Sequence, residues 1–147
     1  MSSAQPRGAL VGKAGEALVA AELLRQNIDV AYPAYDGGVD LIAYEGHEFG
    51  RVVPIQVKTR SGTNYTFHKT WFDSRIVLVQ VWFAVTDPQF FVFSNLDQVE
   101  QALGPEHAQT KSWKVDGVYH VGNPTKAHIE RMQLHRSQWS RIRERLR

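Results

Sequence analysis

The stretch GGVDLIAYEGHEFGRVVPIQVKTR, residues 37–60, decides the fold of this chain. It holds two runs with strand character, residues 39–44 and 51–59, joined by a turn region that contains Gly46 and Gly50. A strand sends successive side chains to opposite faces, so Ile55 and Val57 share one face while Gln56 and Lys58 share the other. If the runs pair antiparallel with Asp40 opposite Gln56, their Cβ atoms lie about 5 Å apart and Lys58 is a diagonal neighbour at about 7–8 Å. A register slipped by one residue would turn Asp40 to the opposite face. Pro54 lacks a donor, which places the start of the second run at an edge or a bulge.

Upstream, residues 14–28 are rich in Ala and Leu and predict a helix. Glu22, Arg25 and Gln26 form its polar arc, whereas Glu16 falls in the apolar arc beside Ala20 and Leu23. A carboxylate aimed at a core is costly unless it is hydrogen-bonded, protonated or facing a cation. The alternative is that Glu16 sits in the helix's first turn and complements the dipole. Residues 30–34 suit a short strand ended by Pro33, and Asp36, Gly37 and Gly38 supply turn chemistry.

Downstream, residues 60–73 suit a loop or a short helix, and residues 75–85 are apolar on both faces, as a strand covered on each side would be. A turn at 86–89 and a strand at 90–94 complete a hairpin. Asn95 or Asp97 caps a helix at 96–103, which Gly104 and Pro105 stop. Residues 106–124 pack a strand or loop on the core. The last element, 125–146, is the longest helix candidate, with Met132, His135, Trp139, Ile142 and Leu146 in one seam among arginines. That seam either docks on the domain or pairs with a second copy in a homodimer.

With 147 residues and no linker or repeat, the chain reads as a single domain, residues 1–147. There is no cysteine, so disulfides and thiolate metal sites are excluded. No apolar run reaches the roughly 18 residues of a membrane span, and no signal-peptide pattern is present, which suggests a cytoplasmic protein without membrane contact. The net charge of +2 conceals an asymmetry: residues 126–147 hold seven Lys or Arg against two acids, a surplus of +5, leaving −3 to the rest. A concentrated basic surface fits an anionic partner such as nucleic acid, or else a solvated helix face. No HExxH, phosphate-cradling loop or nucleophile elbow occurs, and His128 with His135 reads as a helix face.

Phosphodiester hydrolysis needs a cation to neutralise phosphate charge, an activated water and a positive group near the developing charge. Mg2+ takes oxygen ligands and keeps several waters, so two or three protein oxygens suffice. Glu16 and Asp40 can supply carboxylates, Gln56 a weaker neutral carbonyl, and Lys58 a group that orients water and stabilises charge.

A helix bearing Glu16, a strand bearing Asp40 after a Gly-rich turn, then the tripeptide Gln56-Val57-Lys58, resemble the PD-(D/E)XK nuclease superfamily in a QxK variant. The pieces GGVDLIAY and IQVKTR are similar to Holliday-junction resolvases and restriction-endonuclease-like proteins. Val39 stands where the family's proline precedes the aspartate, and Gln56 replaces its acid. The resemblance covers residues 12–60 well and 75–94 loosely. It implies an α/β restriction-endonuclease-like fold: an αβββαβ core at about 12–103, with a central mixed sheet flanked by helices. The basic C-terminal helix lies outside it. It further implies a metal-dependent DNA endonuclease in which Glu16, Asp40 and Gln56 hold Mg2+, or Mn2+ as substitute, and Lys58 assists hydrolysis. Lys13, Arg60, Lys69, Arg131, Arg136 and Arg143 are the cations expected to meet DNA phosphates. The competing reading is a non-catalytic nucleic-acid-binding or assembly module on the same fold.

Overall fold

The computed structural model describes residues 7–35, 37–46, 48–73 and 75–147, without the side chains of residues 48 and 49. The expected turn residue Asp36 lies outside the described residues. The first helix, α1 (Gly8–Arg25), starts earlier than its Ala-Leu run suggests. Strands β1 (Asp29–Ala31), β2 (Leu41–Glu45) and β3 (Glu48–Thr59) follow. The crossover then carries β4 (Tyr65–His68) and a 3-10 turn, Lys69–Phe72, before β5 (Val77–Trp82) and β6 (Gln89–Phe93). The chain ends with α2 (Leu96–Leu103), the single turn α3 (Pro105–Ala108), a π-helical turn, Ser112–Asp116, β7 (Val118–Val121), α4 (Lys126–Gln133) and α5 (Ser140–Leu146).

The central sheet is mixed, in the order β1-β2-β3-β5-β6, and helices flank it. Only the β3–β5 pair is parallel among these neighbours, because the crossover returns the chain to the same end of the sheet. Here that crossover is a strand and a 3-10 turn in place of an α-helix; β4 pairs with β7 in a second, two-stranded sheet. Pro54 falls just before β3 begins to pair with β5 at Ile55, so its missing donor removes no bond on that side.

The faces follow the alternation of β3. Ile55 and Val57 join Val11, Val19 and Leu23 of α1 and Ile142 and Leu146 of α5 in one cluster. On the opposite face, Leu78, Trp82, Phe91 and Phe93 pack against Tyr65 and Phe67 of β4, Val99 and Leu103 of α2 and Met132 of α4. The rings interlock edge-on or tilted, with Phe67 5.0 Å from Phe93 and Trp82 4.6 Å from Phe91 between centroids. Burial on both faces makes β5 apolar throughout, apart from Gln80, whose Nε2 donates to the Thr66 carbonyl at 2.8 Å. The Asn95 cap is as expected, its side chain accepting from the Gln98 N–H at 3.0 Å.

The C-terminal segment corrects the expectation of one long helix. Residues 134–139 break it between α4 and α5, and Ser137 adopts a positive φ of 55°. The cause is the free edge of β6. The Val92 N–H donates to the His135 carbonyl at 3.0 Å, and the Ser137 N–H to the Phe90 carbonyl at 2.8 Å, so the break covers an edge that would otherwise stay unpaired. The seam residues are consumed in this docking: Met132 enters one cluster and Trp139, Ile142 and Leu146 the other. They present no apolar stripe to a second copy, which withdraws the seam as a homodimer interface.

Three arginines of this segment face inward as well. Arg141 donates to the Val92 carbonyl at 2.7 Å, Arg143 to the Gln26 carbonyl at 2.9 Å, and Arg145 to the carbonyls of Arg75 and Ser94. Arg143 thereby caps the C-terminal end of α1, where carbonyls lack helical partners.

His135, fully buried against Phe93 and touched by Arg141 at 2.8 Å, has its pKa lowered to about 4, first by desolvation and then by the Arg141 charge. A histidine whose folded pKa lies below its unfolded value of about 6.5 adds stability above that value and loses it as pH falls toward 4. Urea unfolding should therefore show falling stability between pH 6.5 and 4. His135→Gln should shrink that loss, and an unchanged pH dependence would remove His135 from its cause.

Candidate functional site

Asp40 immediately precedes β2, and the register that sets Leu41 opposite Ile55 sets it opposite Gln56. Its N–H donates to the Ile55 carbonyl at 2.9 Å. Beyond that point β2 leaves the pair while β3 continues to Thr59, so the Val57 N–H has no strand partner on that side. Asp40 Oδ2 accepts it at 2.7 Å. The carboxylate thus lies near the plane of the sheet, at the fork where the two strands part. A carboxylate accepting a backbone N–H makes a strong, charge-assisted bond.

Glu16 reaches the fork from the helix layer. The start of α1 at Gly8 puts Glu16 well past the first turn, which removes the reading of it as a first-turn dipole partner. The neighbouring Gly15 brings α1 onto β3: a Cβ there would stand 1.9 Å from Thr59 Oγ1. Glu16 and Asp40 line one pocket of about 160 Å³ together with Lys13, Tyr32, Pro33 and Val39. Within it Lys13 Nζ pairs with Glu16 at 3.1 Å, and the Glu16 side chain is 16% exposed.

Gln56 and Lys58 face away from α1, since Ile55 and Val57 hold the helix side. The first helix therefore does not pack over the face that carries Gln56; the link between the two sides is the in-plane carboxylate of Asp40. Gln56 is buried, and its Oε1 accepts no hydrogen bond among the described residues. Leaving a buried carbonyl unmet costs about 1–3 kcal/mol. An oxygen in that state suits a hard cation or its water; two carboxylates and an amide carbonyl are donors of the kind Mg2+ or Mn2+ takes, but Gln56 does not line the pocket that Glu16 and Asp40 share. Among the described residues, no group of three or more His, Asp or Glu converges. Lys58 Nζ lies 5.1 Å from the centroid of the Trp71 ring.

The six expected phosphate-facing cations part company. Arg136 and Lys13 are exposed. Arg60 donates to the Thr59 carbonyl at 3.1 Å, Lys69 lies 5.0 Å over the Trp113 ring, and Arg131 reaches the Ala102 carbonyl at 3.4 Å beside Gly104. Arg143 holds α1, as above.

Sequence reasoning missed a second polar cluster. His128 is not on a helix face with His135: its Nε2 lies 2.9 Å from His107 Nε2, and His107 Nδ1 in turn meets the Tyr119 hydroxyl. The Thr125 N–H donates to His128 Nδ1 at 3.0 Å, so neutral His128 carries its proton on Nε2 and donates it to His107. Burial, then the His107 and Arg131 charges, lower the His128 pKa. The fourfold chain ties α3 to α4 and β7, and because its residues are far apart in sequence no local pattern announces it.

No protein-family model matches the chain, and no curated protein sequence matches it. Among solved structures, a bacterial homing endonuclease, I-Ssp6803I, aligns over 94% of this chain and 93% of its own, with a TM-score of 0.56 at 17% identity. A Holliday junction resolvase, Hjc from the hyperthermophilic archaeon Archaeoglobus fulgidus, aligns over 54% of this chain and 70% of its own, with a TM-score of 0.38 at 17% identity. The near-complete alignment with the homing endonuclease, and the mixed sheet with Asp40 at its fork, show that this chain has a restriction-endonuclease-like fold.

Proposed function

We propose that the protein is a divalent-metal-dependent DNA endonuclease that hydrolyses phosphodiester bonds at the β2–β3 fork. The observation that carries this reading is the fork itself, where Asp40, anchored on the Val57 N–H, shares a pocket with Glu16 and stands opposite a Gln56 carbonyl that lacks a partner. Glu16, Asp40 and Gln56 would hold Mg2+ or Mn2+, which supplies charge neutralisation and a more acidic water when bound. Asp40 is held by its backbone bond, so it needs little reorganisation to act as an oxygen donor. Lys58, on the face of Gln56, brings a positive charge to a phosphate oxygen. The fold similarity to a homing endonuclease supports DNA as the substrate. Roles in repair, recombination or defence against foreign DNA, in the cytoplasm, belong to the same reading. No helix among the described residues is long and apolar enough to cross a membrane.

The test is cleavage of linear, branched and single-stranded DNA in Mg2+ or Mn2+ with a chelator control. No cleavage under any of these conditions would sink the enzyme reading. It would leave the non-catalytic DNA-binding module, which is favoured by the Lys13–Glu16 ion pair and by Gln56 in place of an acid. Gln56→Glu adds a charge to the donor set, and affinity in oxygen sites rises with ligand charge. The metal concentration for half-maximal cleavage should fall about tenfold, roughly 1.4 kcal/mol, in that variant. A titration with an unchanged midpoint would exclude Gln56 from the donor set.

A further inference from the structure

Lys58 makes no ion pair among the described residues, although its strand neighbours include the polar Gln56 and Gln80. Its ammonium instead lies 5.1 Å from the Trp71 ring centroid, and the His68 ring packs on that indole at 4.5 Å between centroids. The segment carrying both rings is fastened at three points. Gln80, beside Lys58 in the β3–β5 register and fully buried, donates to the Thr66 carbonyl at 2.8 Å. β4 pairs with β7 through His68, and the Lys69 N–H donates to the Gly117 carbonyl at 2.8 Å. Trp71 is half-buried, so the indole is a fixed surface and not a loose ring.

An indole face attracts a cation through its quadrupole and leaves the charge unneutralised. A carboxylate in the same place would also hold the ammonium, but a phosphate would then have to displace it. We propose that Trp71, buttressed by His68, is the positioning residue for Lys58, holding its ammonium in place and available to a phosphate oxygen. Trp71 acts through Lys58 and does not itself touch the reacting atoms. Burial first, and the Lys58 charge second, lower the His68 pKa, consistent with a neutral ring in the stack. This inference rests on the nuclease reading for its catalytic consequence but not for the contact itself.

Two readouts on the full chain separate the two. The first is the reactivity of each lysine amine toward an acylating reagent, followed by mass spectrometry, in wild type, Trp71→Phe and Trp71→Leu. Lys58 should label faster by about threefold or more in Trp71→Leu, with Trp71→Phe between, because the contact is worth about 0.5–2 kcal/mol and is weaker on phenylalanine. The second is cleavage kinetics: kcat should fall about tenfold in Trp71→Leu and less in Trp71→Phe, with KM within about twofold, as for an interaction made in the transition state. Adding Trp71→Leu to Lys58→Ala should cost nothing further. Unchanged Lys58 labelling in both Trp71 variants overturns the proposal, as does an unchanged kcat in a cleaving protein. If wild type cleaves no DNA, the nuclease reading fails, and the labelling alone decides whether Trp71 holds Lys58. Trp71→Phe keeps a ring in the half-buried site, so a misfolded leucine variant leaves the test intact.

Discussion

Asp40→Asn should abolish DNA cleavage while the protein keeps its fold and its melting temperature. The side chain has two tasks at the fork. One oxygen accepts the Val57 N–H at 2.7 Å, which an asparagine carbonyl also does. The other task is to carry negative charge beside Glu16 in the shared pocket, which asparagine does not. Loss of a metal-bound charge removes several kcal/mol of transition-state stabilisation, a rate loss on the order of a thousandfold. Asp40→Ala should add a folding defect of about 1–3 kcal/mol, because the Val57 donor is left unmet. Single-turnover cleavage at saturating metal, with thermal unfolding of the same samples, separates these effects. Activity of Asp40→Asn within about tenfold of wild type would put Asp40 outside the reacting centre.

Gly15→Ala should destabilise the protein by about 3 kcal/mol, at the upper end of the cost of overpacking. A methyl group at Gly15 would stand 1.9 Å from Thr59 Oγ1, 2.6 Å from Cγ2 and 2.7 Å from Cβ, so either α1 or β3 must move. Helix propensity argues the other way, since alanine is favoured over glycine by about 1 kcal/mol in a helix interior. Gly12, on the same helix with nothing within 4 Å of its would-be Cβ, supplies the control. Gly12→Ala should stabilise by up to about 1 kcal/mol while Gly15→Ala destabilises, and Thr59→Ala should recover only part of the loss because the Cβ clash remains. Urea unfolding of the four proteins measures this. Equal signs at Gly12 and Gly15 would refute the close approach of α1 to β3. Glu16 follows directly in the chain, so lifting the helix should also weaken metal-dependent cleavage.

The alternation in residues 51–59 correctly separated Ile55 and Val57 from Gln56 and Lys58, because side-chain direction in a strand is set by local geometry. The pairing of Asp40 with Gln56, which the sequence offered only as a condition, is the register that the sheet adopts. Local pattern did not reveal that Asp40 folds its carboxylate back onto the Val57 N–H, since that depends on where β2 leaves its partner. It misread the C-terminal segment for a related reason. A helical period runs through Met132, His135 and Trp139, but the unpaired edge of β6 competes for the backbone at His135 and Ser137, and the edge wins. Likewise, arginines counted as a basic surface are drawn inward by carbonyls of distant elements, as Arg143 is by Gln26. The Trp71 contact with Lys58 joins a strand to a crossover segment whose residues carry no clear period.

Returning to residues 37–60, sequence alone determined the two strands and which side chains of the second share each face, because period and turn chemistry act within a few residues; their register was fixed only by the folded sheet. Tertiary structure decided which layer each face meets. α1 lies over Ile55 and Val57, the β4–β7 sheet and α2 cover the other side, and the Asp40 carboxylate stands between the layers. Those choices rest on burial and on the satisfaction of backbone donors across long separations, and no local pattern encodes either.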